Sequence, residues 1–469
     1  MHDIGKTSGK TSKQWVLGGT SLVAFMVALD ALVVTTALVS IRWDFAASLE
    51  TLQWITNGYN LSFAALLLTG AALGDRLGRL RMFLAGIIIF MLSSIACALA
   101  PTIGLLIAGR VAQGVGAALI MPLAMALLGA STSPDERAKA LGIFGGVVGF
   151  ALIAGPSAGG AITQAFGWKW IFWINIPIGL IAIAIVIARF QESFGPAAKL
   201  DLVGLVIVAA AAFALVWALL RGNVAGWTSG EVMALAVLGM LLSAAFVAWE
   251  INVAQPMVPM RLFQAPAFSA GIVASAFFYA AMYGVLFLLP QFFSAVLGYG
   301  PLTAGVGLLS WTATLFVAAP LSGRLVNRIG ERPLVVAGTL MQALGFLWIG
   351  LIVPRGVAYH ELVAPLFVAG FGVSMAMPAV QNAILGSVAP AEMGKASGIF
   401  NMARFLGGMF GVALLVAVFS ARNTASTASA FPDAFSTALV AAAALSFCGA
   451  IAGFWLPART QLAVAPSRT

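Results

Sequence analysis

The chain has 469 residues, 61% of them hydrophobic and only 8% charged, with a mean hydropathy of +1.04. A soluble domain carries about 25% charged residues, so a soluble fold of this length could not cover its surface, and an all-α polytopic membrane protein is expected. The net charge of +9 is assigned to cytoplasmic loops and not to a nucleic-acid surface; with two His and two Cys, no two of them close in sequence, neither a metal site nor a cofactor is expected.

A transmembrane helix needs roughly 20 apolar residues. Reading apolar runs against charged punctuation predicts fourteen spans, at 15–40, 51–73, 83–100, 103–129, 138–163, 170–188, 202–220, 231–250, 267–290, 301–323, 334–352, 360–386, 397–420 and 434–456. The first 14 residues are polar and the run from Trp15 is long enough to span, so no cleavable signal peptide is expected. An even number of spans puts both termini on one side. With the termini in the cytoplasm, 17 of the 24 Lys and Arg fall in cytoplasmic segments and five in outer ones, while Arg110 and Arg404 remain inside helices. That asymmetry supports the span count and an orientation in the plasma (inner) membrane.

The chain is internally duplicated. Pro134–Phe144 (PDERAKALGIF) and Pro390–Phe400 (PAEMGKASGIF) share 7 of 11 residues at an offset of 256, which also pairs Gly114 with Gly370 and Gly116 with Gly372. Leu73–Gly78 matches Leu325–Gly330 at an offset of 252. The predicted organisation is therefore a cytoplasmic tail (1–14), a six-helix bundle (15–190), two extra helices with linkers (191–265), a second six-helix bundle (266–456) and a cytoplasmic tail (457–469). Such repeats characterise transporters whose bundles rock about a central site.

Candidate functional residues follow in chain order. Asp30 is the one acid of 15 that lies at mid-helix. Burial favours the neutral form of a carboxyl, so such a group can take up a proton and release it when wetted. It is read as a proton carrier, or else as a hydrogen-bond acceptor for Arg110 or Thr35. In the second span, Gln53, Asn57 and Asn60 share a helical face, with Trp54 and Tyr59 beside it. The following loop, GDRLGRLR (74–81), places Asp75, Arg76 and Arg79 at a cytoplasmic helix end. There they could form a salt bridge present in one conformation only, or simply a basic loop. Arg110, in the fourth span, needs a partner or a task, or else reaches the outer interface. In the fifth span Gly155-Pro156 combines a lost backbone hydrogen bond with close packing. Further on, Tyr279 and Tyr283 stack one turn apart with Gln291 beyond. Gln381 and Asn382 follow Pro378, and Asn401, Arg404 and Phe405 gather in the thirteenth span. Each stripe fits helix packing; together they also fit an aromatic, amide-lined cavity for amphipathic compounds.

These elements together resemble the major facilitator superfamily. Gly74–Arg81 is similar to its loop 2–3 signature, Arg110–Gly116 to its fourth-helix signature and Gly149–Gly160 to the fifth-helix signature of antiporters. The two extra central helices resemble the fourteen-helix drug:proton antiporter branch. Leu29-Asp30, Trp168–Gly179 and Pro259–Phe263 extend the likeness. The chain departs from the pattern at Ala71 and Leu80 in the loop signature and at Leu32, Thr35 and Val39 in the first helix.

The resemblance implies a monomer in the bilayer that is not an enzyme. It would exchange protons for amphipathic drugs or other small organic compounds by alternating access, and so confer multidrug and antibiotic resistance. In that scheme Asp30 and Arg110 couple the proton, the polar and aromatic stripes bind substrate, and Asp75, Arg76, Arg79, Gly155 and Pro156 serve gating. A proton-coupled symporter of a small solute on the same fold is the alternative. A nucleotide-driven pump is disfavoured because no GxxxxGK[ST] loop occurs. Substrate charge stays open: Asp30 is the sole mid-membrane acid, and Arg110 and Arg404 admit neutral or anionic compounds.

Overall fold

The computed structural model describes residues 4–132, 134–195, 201–389, 392–422 and 430–458. Two compact units emerge, Met1–Leu205 and Val206–Thr469. The described secondary structure is helical throughout.

The first unit holds α1 (Ile4–Phe45), α2 (Leu49–Leu77), α3 (Arg79–Ala98), α4 (Ile103–Ser131), α5 (Pro134–Phe166), α6 (Trp170–Trp173) and α7 (Asn175–Arg189). Starts are set by side chains that satisfy free backbone N–H groups. The Ser48 hydroxyl accepts from Thr51 N at 3.2 Å, and Thr102 accepts from Leu105 N at 3.4 Å. α1 packs on α5, and α4 packs on both α2 and α3.

From the unit boundary onward come α8 (Leu202–Ala225), α9 (Gly230–Asn252), α10 (Pro266–Ala295), α11 (Pro301–Gly307), α12 (Leu309–Thr312), α13 (Leu315–Ile329), α14 (Glu331–Ile352), α15 (Tyr359–Gly386), α16 (Met393–Arg422) and α17 (Phe431–Phe454). α10 packs on α16, while α15 packs on α12, α13 and α14. α9 buries only Val232, Gly239, Phe246 and Glu250 along its length. It leans on α8 through Gly239 against Leu215, and an exposed Arg221–Glu231 ion pair at 3.1 Å closes the turn between them.

The duplication is visible as repeated packing. A Cβ on Gly114 would overlap the carbonyl of Tyr59, and a Cβ on Gly370 would overlap that of Trp311, 252 residues further on. Gly116 sits 2.9 Å (as a Cβ) from the Gly86 carbonyl, and Gly372 stands in the same relation to Gly338. Gly78 and Gly330, again 252 apart, both take positive φ (110° and 84°) between consecutive helices. An L side chain rarely adopts that conformation.

All fourteen predicted spans are helical. Among the described residues, thirteen helical stretches are long and apolar enough to cross a membrane; the remaining predicted span lies in α2, whose 29 residues include Gln53, Asn57 and Asn60. Two spans differ from expectation. The sixth is broken at Ile174 into α6 and α7, and the tenth is divided into α11, α12 and α13. The first break lies beside Asn175 and Pro177, whose nitrogen has no hydrogen to donate back to the Trp173 carbonyl, and the others fall at Gly307-Leu308 and at Ala313-Thr314; hydropathy reports burial in lipid and passes over such marks.

Candidate functional site

The first unit encloses a charged and polar centre in a largely apolar bundle. Asp30 (α1) is 2% exposed and Arg110 (α4) 1% exposed. Arg110 Nη1 donates to Asp30 Oδ2 in a buried ion pair. Two further donors reach Asp30 Oδ1: Asn175 Nδ2 of α7 at 2.8 Å and Gln113 Nε2 of α4 at 3.3 Å. Ser94 of α3 ties the amides together, accepting from Gln113 Nε2 at 2.7 Å and from Asn175 Nδ2 at 3.2 Å. Arg110 also donates Nη1 to Gln113 Oε1 at 2.8 Å and Nε to the Ile55 carbonyl at 3.2 Å, and its guanidinium lies 4.4 Å from the Tyr59 ring centre. The carboxylate thus joins α1 to α4 and α7 directly, and its amide shell reaches α3 through Ser94. An isolated charge at membrane depth costs roughly 2.5–3.5 kcal/mol even on the lenient insertion scales, and the pair with its amide shell offsets that cost.

Two of the alternatives left open by the sequence fall away here. Arg110 does not reach out to the interface, because Asp30 and the Ile55 carbonyl hold its guanidinium inside. Thr35 is not a partner of Asp30: its hydroxyl donates to the Leu32 carbonyl of its own helix at 2.6 Å. Gly155 and Pro156 are buried in α5, and a Cβ on Gly155 would come 2.9 Å from Leu32 Cβ on α1, two residues past Asp30. Their packing partner within this unit is therefore the helix that carries the carboxylate.

At one end of the same unit lies the α2–α3 loop. Arg79 pairs with Asp75 across it, Nε to Oδ1 at 2.8 Å and Nη2 to Oδ1 at 2.7 Å. Arg76 is exposed and forms no ion pair among the described residues. The segment after α7 folds over this loop. Glu192 accepts from Leu80 N at 2.8 Å and Arg81 N at 3.2 Å, Ser193 O accepts from Arg79 N at 2.9 Å, and Gly195 N donates to Asp75 O at 3.1 Å. A carboxylate on the first N–H groups of α3 is favoured by the helix dipole. Of the other expected residues in this unit, Gln53, Asn57, Tyr59 and Asn60 are buried and Trp54 half-buried. The Gln53 and Asn57 amides have no hydrogen-bond partner among the described residues.

The second unit brings together Tyr279, Tyr283, Arg404 and Phe405. Arg404 Nη2 donates to the Tyr283 hydroxyl at 3.1 Å, and its guanidinium lies 5.0 Å from the Tyr279 ring centre and 5.3 Å from that of Phe405. The others stand apart from this cluster. Gln291 donates to the Phe287 carbonyl at 3.1 Å and Asn401 to the Ser397 carbonyl at 2.9 Å, each on its own helix. Gln381 is half-buried and Asn382 exposed on α15.

Asn175, Ser94 and Glu192 carry no local sign of these roles in the sequence. Asn175 was legible as a lone amide in the apolar 170–188 run, but nothing local ties it to Asp30, 145 residues away.

The family model described as Major Facilitator Superfamily matches residues 20–412 and 271–468. The chain is 34% identical over 404 residues to the multidrug resistance protein Stp of Mycobacterium tuberculosis, covering 86% of this chain and 75% of that protein. It is 33% identical over 436 residues to the tetracenomycin C resistance and export protein of Streptomyces glaucescens (92% and 80% covered). A crystal structure of the peptide transporter POT in complex with sulfate superposes with a TM-score of 0.68 at 16% identity, covering 94% of this chain and 95% of that one. A bacterial homologue of the lysosomal transporter Spinster superposes at 0.67. The chain belongs to the Major Facilitator Superfamily. It is an integral membrane protein with the major facilitator fold, a class of transporters that act on small molecules.

Proposed function

We propose that the protein exports amphipathic organic compounds across the plasma membrane in exchange for protons, working as a monomer with both termini in the cytoplasm. The observation that carries this reading is the buried Asp30–Arg110 pair with its Gln113, Asn175 and Ser94 shell. A carboxylate whose bonds and amide shell tie four helices together is a proton site whose occupancy can bias their arrangement. Protonation removes the charge that holds Arg110 and turns an acceptor of three donors into a group that itself donates. The amide shell must then rearrange, and a ligand-dependent preference for either arrangement couples transport to the proton. The export and resistance names of the similar proteins support the direction. In this reading Asp75, Arg79 and Glu192 stabilise the cytoplasmic loop in the present state, and Gly155-Pro156 allows α5 to move along α1. Tyr279, Tyr283, Arg404 and Phe405 bind substrate, with Gln53 and Asn57 adding amide contacts.

Proteoliposomes under an imposed pH step test it. Antiport predicts that dye or drug moves against the direction of the proton flux. Movement in the same direction establishes the symporter instead, and movement independent of the step contradicts proton coupling.

A further inference from the structure

We infer that the Arg404 cluster is a binding site for the anionic group of an aromatic substrate, such as an aryl carboxylate. The inference rests on the export reading and specifies the substrate class.

The argument starts from charge. In the first unit the buried arginine is neutralised by Asp30. In the second, no described carboxylate forms an ion pair with Arg404. The acids of that unit are Glu231, Glu250, Glu331, Glu361, Glu392 and Asp433, all at or near helix ends or in loops. The Tyr283 hydroxyl is the one hydrogen-bond partner of Arg404 among the described residues, and Arg404 Nε has none. Nor is the arginine left over from the duplication: at the offset of 256, Arg404 corresponds to Val148 and Arg110 to Leu366. A cation in the middle of a spanning helix is costly without a counter-charge, and the rings of Tyr279 and Phe405 offset only part of that cost.

Chemistry then selects the ligand. The guanidinium is a planar fork of N–H donors whose in-plane edge matches a carboxylate in bidentate fashion. Beside it the Tyr279 hydroxyl, on a residue 1% exposed, has no hydrogen-bond partner in the described structure. The half-buried Tyr283 ring, 6.1 Å from that of Tyr279 at 30°, offers a face to a planar apolar body. Arg404 and Tyr283 are half-buried, not sealed. A hydrophobic cation would meet an unopposed like charge here.

The test compares three probes of one shape on the purified full chain in detergent: 2-naphthoate, neutral 2-naphthamide and the cation 2-naphthylmethyltrimethylammonium. Affinity is read from the rise of Tm with probe concentration. The native chain is expected to bind the carboxylate at least tenfold more tightly than the amide, with the cation weakest. Arg404→Gln should abolish that preference and Arg404→Lys retain part of it. Tyr283→Phe, which keeps the ring and the charge, should weaken carboxylate binding several-fold. If the native chain binds naphthoate no better than naphthamide, or if the preference survives in Arg404→Gln, the inference is overturned. The assay needs no proton gradient. Carboxylate selectivity without coupled export would sink the antiport reading alone, and coupled export without selectivity would sink this site alone.

Discussion

Asp30 of α1 and Arg110 of α4, 80 positions apart in the chain, form a buried ion pair inside a largely apolar bundle. Removing one partner of such a pair strands a charge, at a cost of about 3–5 kcal/mol, whereas removing both costs much less. Asp30→Asn and Arg110→Gln should each lower Tm in detergent, and the double variant should recover much of the loss. Simple addition of the two losses would show that the residues do not act as a pair.

Asn175 supplies the shorter of the two amide donors to Asp30 Oδ1, at 2.8 Å. Asn175→Ala leaves the ion pair but removes a charge-assisted hydrogen bond, a loss of about 1–3 kcal/mol. Proton-driven export should fall with it, while binding of neutral compounds should persist. Export at the native rate would place Asn175 outside the coupling machinery.

The α2–α3 loop makes a separate prediction. Gly78 combines φ of 110° with a Cβ position 2.6 Å from Glu192 Oε2, and a Cβ on Gly195 would overlap the Asp75 carboxylate. Gly78→Ala, Gly195→Ala and Glu192→Ala should all loosen the strap over α3 and speed limited trypsin cleavage at Arg79 and Arg81. Arg76→Gln, at an exposed position without an ion pair, should leave the cleavage rate unchanged. Equal protection in all four variants would deny the strap a role.

The glycines at the helix crossings give a fourth. Gly114→Val and Gly370→Val each drive a side chain into the backbone of the neighbouring helix, at the Tyr59 and Trp311 carbonyls. Backbone cannot yield as a side chain can. Both should abolish accumulation of folded protein, measured as the monodisperse fraction in detergent. Arg221→Gln, which breaks only an exposed pair, should leave it intact.

The sequence made some of this legible and hid the rest for physical reasons. A charge in an apolar run stands out, so Asp30, Arg110 and Arg404 could be found one at a time. Helical spacing grouped Tyr279 with Tyr283, and adjacency placed Phe405 beside Arg404, because neighbours on a helix are local in sequence. The partnership of Asp30 with Asn175 and Ser94 depends on how α1, α3 and α7 pack, and no periodicity spans those distances. Glu192 looked like an ordinary acid in a linker, although it holds the N-terminus of α3 from 112 residues away. The breaks at Ile174 and within 301–329 escape a reading by hydropathy, although Pro177 removes a helical donor just past the first and Gly307 precedes the second.

The most direct measurement is proton release when an exported compound is added to the native chain and to Asp30→Asn in lightly buffered detergent. The account predicts release from the native chain, and compound binding without release from Asp30→Asn. Undiminished release from Asp30→Asn would contradict it and move the proton to another group.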